Sequence, residues 1–108
     1  MTEQNAAYGQ ASELESFKNA GCTMPAFSES YVPPTPEQVG QLIKAAGWSQ
    51  RQVARLTGVS YNDKGSTTVR KWKTPKGKPE HREIPYSAWR LMLLAAGVVS
   101  ISDDQAGL

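Results

Sequence analysis

Residues 49–72 read SQRQVARLTGVSYNDKGSTTVRKW, from Ser49 to Trp72. The front half carries the marks of a capped helix. Ser49 is an N-cap with Gln52 three residues on, the spacing of a capping box, in which each side chain bonds the other residue's backbone amide. Trp48 precedes the cap and Val53 follows it, as in a hydrophobic staple. Gly58 offers the left-handed backbone that ends a helix and turns the chain. The back half, TTVRKW, predicts a second helix from Ser66 to about Lys73, with Val69 and Trp72 three apart on one face. Between the two halves lies YNDKG, polar turn-forming chemistry that a compact helix-turn-helix does not need.

Upstream of this stretch, Thr35 is an N-cap, Pro36 suits the first helical position and Gln38 completes another capping box. Val39, Leu42, Ile43 and Ala46 then form one apolar stripe, and Gly47 ends the helix. Downstream, TPKGKPEHREI (Thr74 to Ile84) reads as a loop, and a fourth helix runs from Pro85 to Ala96 with Gly97 as its stop. Val98–Ile101 is a short strand or an extended tail, and residues 102–108 are expected to be mobile. Toward the N-terminus, Ser12 and Glu15 have capping-box spacing, with Leu14 and Phe17 buried and Gly21 as the stop. Ser28 to Pro34 (SESYVPP) is an extended connector, because each proline disfavours helix in the residue before it. The fold class expected is a small all-α helix-turn-helix bundle. It divides into an N-terminal segment 1–34, a helical domain 35–101 and a tail 102–108.

A chain of 108 residues is enough for one domain with a modest core. Charged residues at 20% and apolar ones at 39% fit neither a disordered tail nor a membrane protein. The apolar run Leu91 to Ile101 is too short to span a bilayer, and MTEQNAAYGQ lacks the pattern of a signal peptide. The single cysteine, Cys22, forms no internal disulfide and fits a reducing compartment. Net charge is only +2, but it is unevenly spread. Residues 1–37 carry −4, residues 38–82 carry +8 and residues 83–108 carry −2. A basic middle between acidic ends suggests a polyanionic partner, the alternative being a solvated basic face.

In a helix-turn-helix, a small residue is needed where the helices approach and a residue tolerant of positive φ at the turn. Ala54 and Gly58 fill those roles. Ser49, Gln50, Ala54, Gly58, Val59, Ser60, Thr68, Val69 and Trp72 together resemble the Cro/CI-like (Xre-type, lambda-repressor-like) family of phage and plasmid repressors, over about residues 35–97. The resemblance implies a cytoplasmic double-stranded-DNA-binding regulator of a bacterial or phage-infected cell, most readily a repressor acting on a promoter, its own included. It implies no cofactor and no catalytic step. Family members have a shorter turn where Tyr61 to Thr67 stand here.

If Val69 and Trp72 face inward, Thr67, Arg70 and Lys71 face outward together, at about 100° per residue. Arg can bond guanine through two donors, Thr can touch a thymine methyl, and Lys can reach guanine or phosphate. Tyr61, Asn62 and Lys64 of the insert are expected to add base-edge or phosphate contacts, the alternative being a tolerated loop extension. Gln50 resembles the family glutamine that binds phosphate. Arg51, Lys64, Ser66, Lys73, Lys76 and Lys78 are further candidates for phosphate contact.

Other residues carry less. His81 and Cys22 stand apart, with no spacing suited to zinc or to a nucleophile–base pair. PKGKP is not a phosphate-binding glycine loop. Trp48, Trp72 and Trp89 read as core. The fourth helix is apolar nearly all round, which implies a second buried face. Tyr86, Trp89, Met92 and Leu93 are expected to pack against a second copy in a homodimer that reads a pseudo-palindrome, the alternative cover being the N-terminal segment of the same chain. A rival reading is an antitoxin-like module whose residues 1–34 wrap a protein partner while the helical domain autoregulates. A weaker one is a DNA-packaging or recombination accessory factor.

Overall fold

The computed structural model describes Leu14, Glu15, Phe17 and residues 19–108. The capping box expected at Ser12 lies outside the described residues. Among the described residues there are five α-helices and no strand: α1 (Pro36–Ala46), α2 (Gln50–Thr57), α3 (Thr67–Lys73), α4 (Tyr86–Ala95) and α5 (Ile101–Gln105). A single 3-10 turn, Gly21–Thr23, precedes them. None of these helices is long and apolar enough to cross a membrane.

Local chemistry sets the first two helices. Thr35 Oγ1 accepts from the Gln38 amide at 3.1 Å while the Thr35 amide donates to Gln38 Oε1 at 2.9 Å. Ser49 and Gln52 repeat the exchange at 3.1 and 2.8 Å. Gly47 (φ 75°) and Gly58 (φ 83°) end the two helices in the left-handed region, and Ala54 O accepts from both the Gly58 and Val59 amides. That shared acceptor closes the turn between α2 and α3 and satisfies a carbonyl the helix end would otherwise leave open.

Packing follows the apolar stripes. α2 touches both α3 and α4, and α1 touches α3. Val39, Leu42, Val53, Ala54, Val69, Trp72, Trp89, Met92 and Leu93 fill one buried cluster. Each side chain the size of Leu42 or Met92 contributes about 1.5–3 kcal/mol by leaving water. Ala45 is buried where Ala46 was expected, and Ala46 is half-buried; the stripe on α1 is wider than one row.

The second face of α4 is covered from within the chain. Trp89 Nε1 donates to the Cys22 carbonyl at 2.8 Å and Arg90 Nη1 to the Thr23 carbonyl at 2.8 Å. The Ala26 amide donates to Tyr86 Oη at 2.9 Å, and Tyr31 packs edge-on against Tyr86 with ring centroids 5.3 Å apart. Phe17 meets Trp89 from the same side. Trp89, Met92 and Leu93 are each 0% exposed in one chain. This corrects the expectation that they form the contact between two copies: their surface is already spent on the chain's own N-terminal segment and core. Of the described part of that segment, Phe17, Cys22 and Thr23 are buried in this way, whereas Phe27 and Val32 are 59% and 57% exposed.

The C-terminal tail also differs from expectation. Val98 and Val99 are half-buried in a turn, not a strand, and residues 101–105 form α5. Ser100 and Asp103 cap it, with Ser100 N donating to Asp103 Oδ2 at 3.1 Å. A helix this short does not hold itself. Its anchor is Arg90, only 5% exposed, whose Nε donates to Asp104 Oδ1 at 2.9 Å and Oδ2 at 3.1 Å. A guanidinium taken from water needs such a partner.

Asp104→Ala is therefore expected to destabilise the fold by about 1–3 kcal/mol, the range for a hydrogen bond to a charged group left unmade. Urea unfolding followed by tryptophan fluorescence measures it. A change below about 0.5 kcal/mol, typical of neutral surface substitutions, would show that α5 is not held through Arg90.

Candidate nucleic-acid interface

The surface around α3 is built from three pieces: the exposed side of α3, the excursion before it and the loop after it. Val69 is 0% and Trp72 3% exposed, so α3 is seated by the two residues expected to seat it. Thr67 and Arg70 are exposed on the other side, and Lys71 is half-buried.

The excursion is a closed hairpin. Asn62 N donates to Gly65 O at 2.8 Å and Gly65 N to Asn62 O at 3.1 Å. The Asn62 side-chain oxygen accepts from Lys64 N at 2.8 Å, the local bond that favours Asn in turns. That oxygen is engaged within the turn, while the amide nitrogen of Asn62 keeps its donors. Pairing with adenine through both side-chain atoms would require opening the turn.

Gln50 ties this hairpin to α2. Its Oε1 accepts from Ser66 N at 3.0 Å. The expectation that Gln50 faces phosphate is thus narrowed to its amide nitrogen, because the oxygen joins the starts of α2 and α3. Gly65, at φ +130°, makes room for it: a Cβ there would stand 2.6 Å from Gln50 Oε1. Beside it, the Arg51 guanidinium lies 5.8 Å from the centre of the Tyr61 ring, within cation–π range. Asn62, Lys64, Thr67 and Arg70 line one shallow cleft with Gln50. Arg51, Asp63 and Lys64 line a second with Ser49 and Gln50.

Ser66 changes role, and Lys73 stands at an edge of α3. Ser66 is 3% exposed; its hydroxyl donates to Ser60 O at 2.8 Å and accepts from Val69 N at 3.2 Å. It caps α3 and is closed to phosphate. Lys73 follows Val69 by four residues, which puts it at the margin of the buried face, and its Cδ lies beside Gly40 of α1. Its stem lies along α1.

The loop after α3 is held rather than loose. His81 Nδ1 donates to Thr74 O at 2.7 Å, and Arg82 N donates to Lys71 O at 3.2 Å. Lys76 and Lys78 are exposed on this loop. Glu80, which sequence reasoning missed, ion-pairs with Arg70 at 3.4 Å. Glu80 comes ten positions after Arg70, beyond the end of α3 and past Pro75 and Pro79, a spacing with no helical or strand periodicity to signal it.

The remaining polar residues do not add chemistry here. Burial pushes the Cys22 thiol above its ordinary pKa, against thiolate formation, and His81 spends Nδ1 on the loop. Among the described residues no group of three or more His, Cys, Asp or Glu is placed to hold a metal ion.

Neither a protein-family model nor a solved structure matches the chain. Two curated relatives do. One, the transcriptional repressor protein KorC of Escherichia coli, is 35% identical over 84 residues, covering 78% of this chain and 88% of the relative. A second protein of the same name and organism is 32% identical over 77 residues, covering 71% of this chain and 80% of the relative.

Gly65→Ala tests the joint between hairpin and helix. Positive φ and the clash with Gln50 together are expected to cost about 1–3 kcal/mol and to displace the Ser66 amide resonance. Thermal melting and amide NMR measure the two effects. An unshifted Ser66 amide would mean the Gln50 bond does not exist in solution.

Proposed function

Because the chain belongs to the family of the transcriptional repressor KorC, we propose that it is a sequence-specific double-stranded-DNA-binding repressor that sets α3 in the major groove, in the manner of the Cro/CI-like proteins of phages and plasmids. The observation that carries this reading is the outward presentation of Thr67 and Arg70 from a helix seated by Val69 and Trp72. Such a helix, following a turn from its neighbour, is the element that helix-turn-helix proteins lay along base-pair edges.

Roles follow from reach and chemistry. Thr67, Arg70 and Lys71 address base edges. Tyr61, Asn62 and Lys64 stand at the rim of the groove, with Asn62 as a donor. The Gln50 amide nitrogen, Arg51, Lys76 and Lys78 hold phosphates and fix the register without reading sequence. Positive charge concentrated in residues 38–82 supplies the salt-dependent part of the affinity. Two such chains on a two-fold axis would place two α3 helices one helical turn apart on a pseudo-palindrome. Leu91, 42% exposed, is the large apolar side chain that α4 leaves for such pairing.

Selection of bound sequences from random duplexes by the purified chain tests the reading directly. A recurrent, two-fold symmetric motif is expected, and indifference to all duplexes in low salt would overturn the proposal. On the selected sequence, Arg70→Ala is expected to cost about 1–3 kcal/mol and relax preference at one position, whereas Lys76→Ala weakens binding to every duplex and lowers the salt slope by about one. Titrations against matched and scrambled duplexes at several salt concentrations separate the two. Equal losses on both duplexes for Arg70→Ala would remove it from base reading.

A further inference from the structure

Arg70 does not stand free. Its Nη2 lies 3.4 Å from Glu80 Oε1, with 46% of the arginine side chain and 61% of the glutamate side chain exposed. An exposed pair of this kind adds little to stability, so its value to the fold is small. The loop backbone that carries the glutamate is nevertheless tied down by hydrogen bonds. Glu80 sits between Lys78, whose amide donates to Pro75 O, and His81, whose amide donates to Lys78 O and whose ring is bonded to Thr74 O. The adjoining Arg82 guanidinium bonds the carbonyls of Pro79 and His81. These bonds fix the backbone on both sides of Glu80, and from there its carboxylate reaches Arg70 on the outer side of α3.

We infer that Glu80 is a positioning residue for base recognition, and that it acts on discrimination between sequences through Arg70. This rests on the repressor reading above. A guanidinium has five N–H donors in a rigid fork, and Glu80 engages one nitrogen. The donors left over can bond the two acceptors of a guanine edge while the carboxylate stays attached. On a duplex without that guanine, Arg70 gains only by turning to a phosphate. It must then leave Glu80, and the carboxylate is left unpaired in a field of phosphates. Glu80 therefore weakens binding to wrong sequences more than to the right one. Repulsion of this kind is a common source of specificity in charged interfaces.

The test uses the full chain, a duplex selected by that chain from a random pool, and a scrambled duplex of the same composition. Glu80→Gln removes the charge at an exposed position. It is expected to tighten binding to the scrambled duplex by about fivefold, the size of one contact between unit charges in water. On the selected duplex the change stays within about twofold. The salt slope on the scrambled duplex steepens by about one, as Arg70 becomes free to neutralise one more phosphate. In an Arg70→Ala background, Glu80→Gln leaves the ratio of the two affinities unchanged. Glu83→Gln, a second exposed acid nearby, moves both duplexes together.

If Glu80→Gln alters both duplexes equally, or alters their ratio as much without Arg70, or if Glu83→Gln lowers the ratio as far, Glu80 is only a background charge and the inference fails. A parent chain that selects no sequence at all fails the repressor reading first, and this inference with it. A parent that selects a motif while Glu80→Gln keeps the ratio fails this inference alone.

Discussion

The burial of Val69 and Trp72 sets the rotation of α3, and the exposed surface takes its composition from that rotation. A seven-residue helix has few ways to be held. Here two inward anchors meet Val53 and Ala54 of α2 in one core cluster, and Ser66 closes the first turn from beneath. With those positions occupied, Thr67 and Arg70 are left outside by geometry, and the half-buried Lys71 stands next to them. A polar residue at 69 or 72 would cost stability and also change which side chains the helix shows.

A second layer of constraint surrounds α4. The helix is apolar nearly all round because it lies between α2 and the N-terminal segment, and its two buried hydrogen-bonding side chains, Trp89 and Arg90, each reach a carbonyl of that segment. Polar tips on otherwise buried side chains make this contact directional. Arg90 also reaches Asp104, so residues 23, 90 and 104 are linked through one guanidinium. The 3-10 turn and α5, from opposite ends of the described chain, are thereby fastened to the same helix.

Much of the helical frame is legible in the sequence because its signals are local. Both capping boxes, the left-handed glycines at 47 and 58 and the inward pair on α3 are consequences of residues within a turn of one another. The parts that are not legible depend on partners far along the chain. α5 is too short to declare itself, and exists through Arg90. The apolar roundness of α4 does signal a second buried face, but amphipathicity does not say whose surface covers it; that answer lies in hydrogen bonds spanning 67 residues. At the candidate interface, residue type and helical face are legible for Thr67 and Arg70. The burial of Ser66, the division of Gln50 between a structural oxygen and a free nitrogen, and the reach of Glu80 to Arg70 are not, since each depends on a loop conformation.

The hairpin before α3 leaves and re-enters the fold at nearly the same point, because Asn62 and Gly65 bond each other across its neck. Its tip, Asp63 and Lys64, therefore projects without transmitting length or twist to the helix behind it. The excursion is an appendage on a fixed socket, and its tip stands apart from the bonds that seat α3.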